Sequence, residues 1–146
     1  MILNNYENGR IFMGRLDFKT DLLDEINKIV IENNIKAGYI NIIGAITGLK
    51  TGFYDQNVKE YVHTVYEPEL PLEISSCMGN VSIKEGKPFC HIHIVASDRK
   101  GKCFGGHLMN GTKVFAAEFI IQEVLGEELV RGIDADTKLP LWVDSV

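Results

Sequence analysis

The chain has 146 residues, 45% of them hydrophobic and 24% charged, and carries a net charge of −5. A chain of this length forms one domain and buries roughly 68–70% of its unfolded surface, so it folds without help from disulfides or metal. The acidic balance counts against a phosphate backbone as partner, since that contact rests on clustered lysine and arginine. Lys84, Lys87, Arg99, Lys100 and Lys102 come nearest to such a cluster, and no aromatic run accompanies them. No apolar stretch approaches the roughly 18 residues of a membrane span. The first ten residues, MILNNYENGR, lack the basic and apolar regions of an export signal. With Cys77, Cys90 and Cys103 an odd set, reduced thiols are the simplest reading. The expectation is a single cytoplasmic domain, residues 1–146, with no membrane contact.

In chain order, Arg10 to Phe18 reads as a first strand. Thr20 is placed to cap a helix from Asp21 to about Asn33, with Asp21 and Asp24 favourable in the first turn. Leu22, Leu23, Ile26, Ile29 and Val30 recur at helical spacing and give it one apolar face. Asn33-Asn34 is the stop, because asparagine tolerates the left-handed conformation that ends helices. Gly38 to Thr47 is β-branched and nearly continuous in hydrophobicity, as in a strand buried on both faces. Gly48 to Tyr54, Glu60 to Tyr66 and Leu72 to Lys84 follow as strands, then a turn at Glu85-Gly86-Lys87-Pro88. Phe89 to Ala96 is a strand, and Ser97 to Lys102 turns the chain back. Val114 to Leu125 is ambiguous, its alanines favouring helix and Phe119, Ile120 and Ile121 favouring strand. A short strand pair around Val130 and Leu139 to Val143 closes the chain. One main helix near the amino terminus among seven or more strands gives an α+β class with a mostly antiparallel sheet.

Three of the four histidines, His91, His93 and His107, fall within seventeen residues. Residues two apart on a strand share a face with Cα atoms roughly 6.6 Å apart, so His91 and His93 can converge on one ion. A turn centred on Lys100 sets His93 opposite His107, where cross-strand Cβ atoms are roughly 4.5–5.5 Å apart. A slip of one residue would turn His107 to the other face, and Gly105-Gly106 offers a place for a bulge that re-aims it. Three imidazoles with a fourth position open form a catalytic type of zinc site, and another divalent transition metal also suits them. Against this stands the ordinary case of a hydrogen-bonded strand histidine. His63 reads as a surface residue. Cys90 points away from His91 and is rejected as a ligand, while Cys103 shares the face of His107 and is a minor alternative. Glu118 interrupts the apolar run VFAAEFII. It is either an acid/base group or acceptor beside the metal, or a solvent-facing residue on a half-buried strand.

The string from His91 to Glu118 resembles the PPC (plant and prokaryote conserved) domain. Its bacterial and archaeal members carry a His-x-His strand, a short turn, Gly-Gly-His-Leu, and a later strand with glutamate. Here these are His91 and His93, Gly105-Gly106-His107-Leu108, and Glu118. The likeness extends to the amino-terminal strand and helix, to IIGAITGL around Gly44, and to Arg131-Gly132-Ile133-Asp134. It implies an α+β domain that assembles as a homotrimer and has a fold similar to acetolactate decarboxylase, in which a His-x-His pair and a later histidine hold zinc. By that analogy the metal meets an oxygen of a small-molecule ligand, and an enzyme of this kind performs metal-assisted hydrolysis or decarboxylation of a small oxyacid. Plant members join the domain to DNA-binding AT-hooks. The Arg-Gly-Arg-Pro core of that element is absent here, so the alternative, a non-enzymatic DNA-binding or transcription-associated regulator, lacks support from charge. Lys19-Thr20 stands where many relatives have Gly-Glu, which bears on the helix start.

Overall fold

The longest strand organises the rest. In the computed structural model, which describes residues 1–143, Gly38–Asp55 forms a single strand. The elements in chain order are β1 (Glu7–Leu16), α1 (Leu22–Glu32), β2 (Gly38–Asp55), β3 (Glu60–Tyr66), β4 (Leu72–Lys84), β5 (Lys87–Ser97), β6 (Cys103–Leu108), β7 (Lys113–Leu125), β8 (Val130–Ile133) and β9 (Pro140–Val143). The sheet runs β1-β7-β2-β6-β5-β4-β8-β9, with β3 beside β2. The amino-terminal half of β2 pairs with β7 on one side and β4 on the other, while its far end pairs with β3 and with β6 at Thr51 and Gly52. Because β2 meets both β4 and β6, the strands β2, β4, β5 and β6 close on themselves. Every pairing is antiparallel except that of β4 with β8.

This is a mostly antiparallel sheet with one short helix. Where two strands, Gly38–Thr47 and Gly48–Tyr54, were expected, the chain runs on as one. Gly48 does not break it, although the register with β7 shifts between Ala45 and Gly48; the register with β4 shifts between Asn41 and Gly44. Gly44 has φ +127°, and a Cβ there would lie 2.1 Å from the Ala116 carbonyl oxygen, so only glycine lets β2 and β7 approach at this point. Val114 to Leu125 resolves as strand. Paired on both sides by β1 and β2, it has its propensity overridden by sheet partners.

The helix begins one residue later than expected. Asp21 rather than Thr20 is the cap: its carboxylate accepts from the Asp24 amide and from the Gly111 amide. The Thr20 hydroxyl instead donates to the Asp17 carbonyl. The stop is as expected, with Asn33 at the cap and Asn34 at φ +50°. Leu22, Ile26 and Val30 are fully buried, and α1 packs against β5. The turn before β5 is tighter than expected. Lys84 pairs with Lys87, leaving Glu85 and Gly86, both at positive φ, as a two-residue hairpin loop whose twist matches the strands. The terminal strand pair is present as β8 and β9. Among the described residues no helix is long and apolar enough to cross a membrane.

The helix carries a direct test of this packing. Ile26 is 0% exposed and Ile31 55% exposed on the same helix. Ile26→Ala should destabilise by about 2–5 kcal/mol, lowering the melting temperature by about 5–15 °C in a chain of this size. Ile31→Ala should stay within about 0.5 kcal/mol. Equal melting points for the two variants in thermal denaturation would refute the placement of the helix.

Candidate metal centre

Strand β5 sorts its residues by parity. Cys90, Ile92, Ile94 and Ala96 are buried in the core beneath α1, and His91, His93 and Val95 face the other side. The period of two leaves no other choice once the isoleucines are committed to the core. The return strand β6 pairs in the register expected from the spacing, His93 opposite His107 and Ser97 opposite Cys103, without interruption. No bulge forms at Gly105-Gly106. Gly105 instead permits close approach, since a Cβ there would lie 2.4 Å from the Ile94 carbonyl oxygen.

The three imidazoles meet on one face. Each offers a ring nitrogen, and these lie within 4.8 Å of one another. The Nε2 atoms of His91 and His93 are 3.2 Å apart, close to the roughly 3.3 Å between two nitrogens each about 2.0–2.1 Å from a tetrahedral zinc. Ring centroids are separated by 4.9–5.4 Å. The Nδ1 atom of His107 is buried and has no hydrogen-bond partner. A buried polar atom without a partner is costly and uncommon. A donor set of three imidazoles, one with an orphaned nitrogen, fits a divalent transition metal.

The other sequence candidates fall outside. His63 is exposed on β3. It is separated from His107 by Gly52, which pairs with both. Cys90 is buried, and burial pushes its thiol up to about 12. Cys103 is exposed at the opposite end of β6 from His107. Glu118 is exposed on β7, with Arg15 and Ile43 as cross-strand partners. Strands β2 and β4 stand between it and β5, about 14 Å at the usual strand spacing. The chain therefore does not bring Glu118 to its own triad.

Arg131 is the residue that spacing alone does not place here. From β8 its Nε donates to the Ser82 hydroxyl, Nη2 to Asn80 Oδ1 and Nη1 to the Pro140 carbonyl. Asn80 is the cross-strand partner of His91, so the guanidinium is held at the edge of the triad. Burial foremost, then the neighbouring His107, Arg131 and His93, lowers the pKa of His91 to about 4. His107 is lowered for the same reasons, burial first, then His93 and Arg131. Neutral imidazole is the form that binds metal.

The family model of the Plants and Prokaryotes Conserved (PCC) domain matches residues 3–125. A metal-containing protein of Archaeoglobus fulgidus is 41% identical, with a TM-score of 0.92 over 99% of this chain and 100% of that one. A plant- and prokaryote-conserved protein of Pyrococcus horikoshii is 32% identical, with a TM-score of 0.90 over 100% and 99%. A protein of Bacteroides thetaiotaomicron described as a candidate DNA-binding protein is 25% identical, with a TM-score of 0.84 over 96% and 98%. Acetolactate decarboxylase of Bacillus subtilis shares the fold alone, at 15% identity and TM-score 0.54 over 81% of this chain and 54% of that one. No curated protein matches the chain.

The depressed pKa of His91 gives the centre a pH signature. In the fold this imidazole is neutral down to about pH 4, whereas in the unfolded chain it takes up a proton near 6.5. The stability it contributes is complete above pH 6.5 and is lost as pH falls toward 4. Thermal melts of chelator-treated protein should show this decline in the wild type and a shallower one in His91→Gln. Parallel declines in the two would show that His91 is not held neutral by its surroundings.

Proposed function

We propose that this chain, which belongs to the Plants and Prokaryotes Conserved (PCC) domain family, binds a divalent transition metal, zinc foremost, through His91, His93 and His107. The convergence of the three ring nitrogens within 4.8 Å carries the reading, and the metal-containing Archaeoglobus relative supports it. Bound there, the ion supplies Lewis acidity. The protein's own part is to present three converging imidazoles, of which His91 and His107 are kept neutral by burial first and by neighbouring groups including Arg131, and to leave the fourth side of the site open toward a small-molecule pocket. The reaction class this arrangement suits is metal-assisted hydrolysis or decarboxylation.

The assembly we propose is a cytoplasmic homotrimer. The sheet face opposite α1 exposes Ile11, Met13, Tyr39, Ile43 and Met78, each more than half exposed. Cross-strand pairs run from Met13 through Ile120, Asn41 and Met78 to His93, so the apolar face ends at the triad. A neighbouring copy that covers this face also stands beside the metal ligands, and Glu118, which lies on it, enters the site only through such a neighbour. The family resemblance is what supports three copies rather than two.

A second reading, a DNA-associated regulator, is favoured by the description of the Bacteroides relative and opposed by the net charge of −5. Binding of duplex DNA that weakens steeply with salt in a gel-shift assay would move the assignment to it.

Two measurements test the leading reading. Metal content by mass spectrometry, on protein made without a histidine tag, should fall in each of His91→Ala, His93→Ala and His107→Ala. It should be unchanged in His63→Ala. Two imidazoles cannot enclose a tetrahedral ion, so wild-type metal content in His107→Ala would sink the site. Light scattering should give a mass about three times the chain's 16.4 kDa, and a single-chain mass would refute the trimer.

A further inference from the structure

Beside the triad, between β5 and the β8–β9 pair, is a cavity of about 250 Å³ whose walls include His91, His107, Tyr61, Lys84, Phe89 and Arg131. No aspartate or glutamate lines it. Among the described residues, the ion pairs are Arg10–Glu123, Arg15–Asp17, Lys36–Glu128 and Lys113–Asp21, so neither Arg131 nor Lys84 has a carboxylate partner. A half-buried cation without a counter-charge is unusual, because the charge loses solvation with no compensating ion. Burial accordingly lowers the Arg131 pKa from its ordinary value.

The guanidinium is nevertheless fixed rather than adrift. Its three hydrogen bonds, to Ser82, Asn80 and Pro140, use three of its five N–H groups. Its carbon also lies 5.5 Å from the Phe89 ring centre and 5.7 Å from that of Trp142. One N–H remains free on each terminal nitrogen of a planar group already held in place, and such charged donors suit a carboxylate or phosphate. Lys84 lies 5.1 Å from the other partner of that group, the Phe89 ring, and adds a second positive charge. Burial foremost raises the Tyr61 pKa, so its phenol stays protonated and can donate as well.

We propose that this cavity is the anion subsite of the metal centre: Arg131, aided by Lys84 and Tyr61, binds the carboxylate of a small organic acid whose remaining polar group faces the histidine triad. The size of the cavity, below the 300–1,000 Å³ usual for larger ligands, restricts the acid to a few carbons. The apolar walls, Phe89, Leu139 and Leu141, match an organic body and offer nothing to free phosphate. The inference rests on the metal reading for the second contact only, since the carboxylate contact is made by side chains of this chain.

Trp142, the one tryptophan of the chain, faces Arg131 and reports on it. Metal-loaded wild-type protein is titrated with lactate, with the neutral amide lactamide, and with inorganic phosphate, following tryptophan emission. Lactate should change the emission saturably and the other two should not at equal concentration. In Arg131→Met, compared with the wild type at equal metal loading, lactate affinity should fall at least tenfold. In Arg131→Lys, which keeps the charge but not the planar group, it should fall by less. If Arg131→Met does not fold, the lysine variant and the lactate–lactamide comparison decide the matter, the latter needing no variant. Equal responses to lactate and lactamide, or wild-type lactate affinity in both variants, would overturn the subsite, and saturation by phosphate in place of lactate would overturn its carboxylate assignment. Failure of the metal reading shows separately, as wild-type protein without metal, and the same titration then tests Arg131 on the metal-free chain.

Discussion

The two-residue period of a β-strand is the constraint from which the site follows. In β5 the apolar residues Ile92 and Ile94 are each 1% exposed and packed under α1, and burying such side chains stabilises by about 1.5–3 kcal/mol apiece. A slip that freed the histidines from their face would drag both isoleucines into solvent and both imidazoles into the core. The hydrophobic effect on one side of the strand thereby positions polar chemistry on the other. The hairpin to β6 extends this control to a third imidazole, because His107 inherits its face from Leu108, which is 1% exposed and fixes the parity of its strand.

How far the sequence discloses this depends on the range of the interaction. The His-x-His pair and its partner across a short turn are local features, and the turn around Lys100 sets their register. The helix is legible from the spacing of Leu22, Ile26 and Val30. Its cap is misplaced by one residue because the choice between Thr20 and Asp21 is made at a distance, by the Gly111 amide that Asp21 holds. The fate of Val114 to Leu125 is likewise decided by strands on either side, one of them about a hundred residues away. Arg131 is invisible to spacing arguments for the same reason: β8 reaches β4 by a parallel pairing, and nothing near Arg131 in sequence points to His91.

Charge around the triad is arranged with one sign. Burial first, then the neighbouring imidazoles and Arg131, makes protonation of His91 and His107 unfavourable. The positive field of Arg131 makes the neighbouring space attractive to an anion. Arg131 thus acts on those two imidazoles, as a lesser influence than burial, and on the cavity, in both cases through electrostatics. The glutamate that sequence places near this chemistry, Glu118, lies on a different part of the same face, paired with Arg15 and Ile43.

The run of β2 through the middle of the sheet has a consequence for how the chain is made. Its partners on one side include β7, with Gly48 opposite Lys113 and Gly38 opposite Glu123, separations of 65 and 85 residues, and β1 also waits for β7, with Glu7 opposite Leu125. During synthesis β1 therefore leaves the ribosome well before its partner strand exists, and β2 well before one of its own. Such high contact order slows folding, because loop closure is costly before the distant pairing rewards it. The hairpin of β4 and β5, and then β6, can pair as they emerge, which makes the histidine-bearing segment an early-forming unit against which the older strands later assemble.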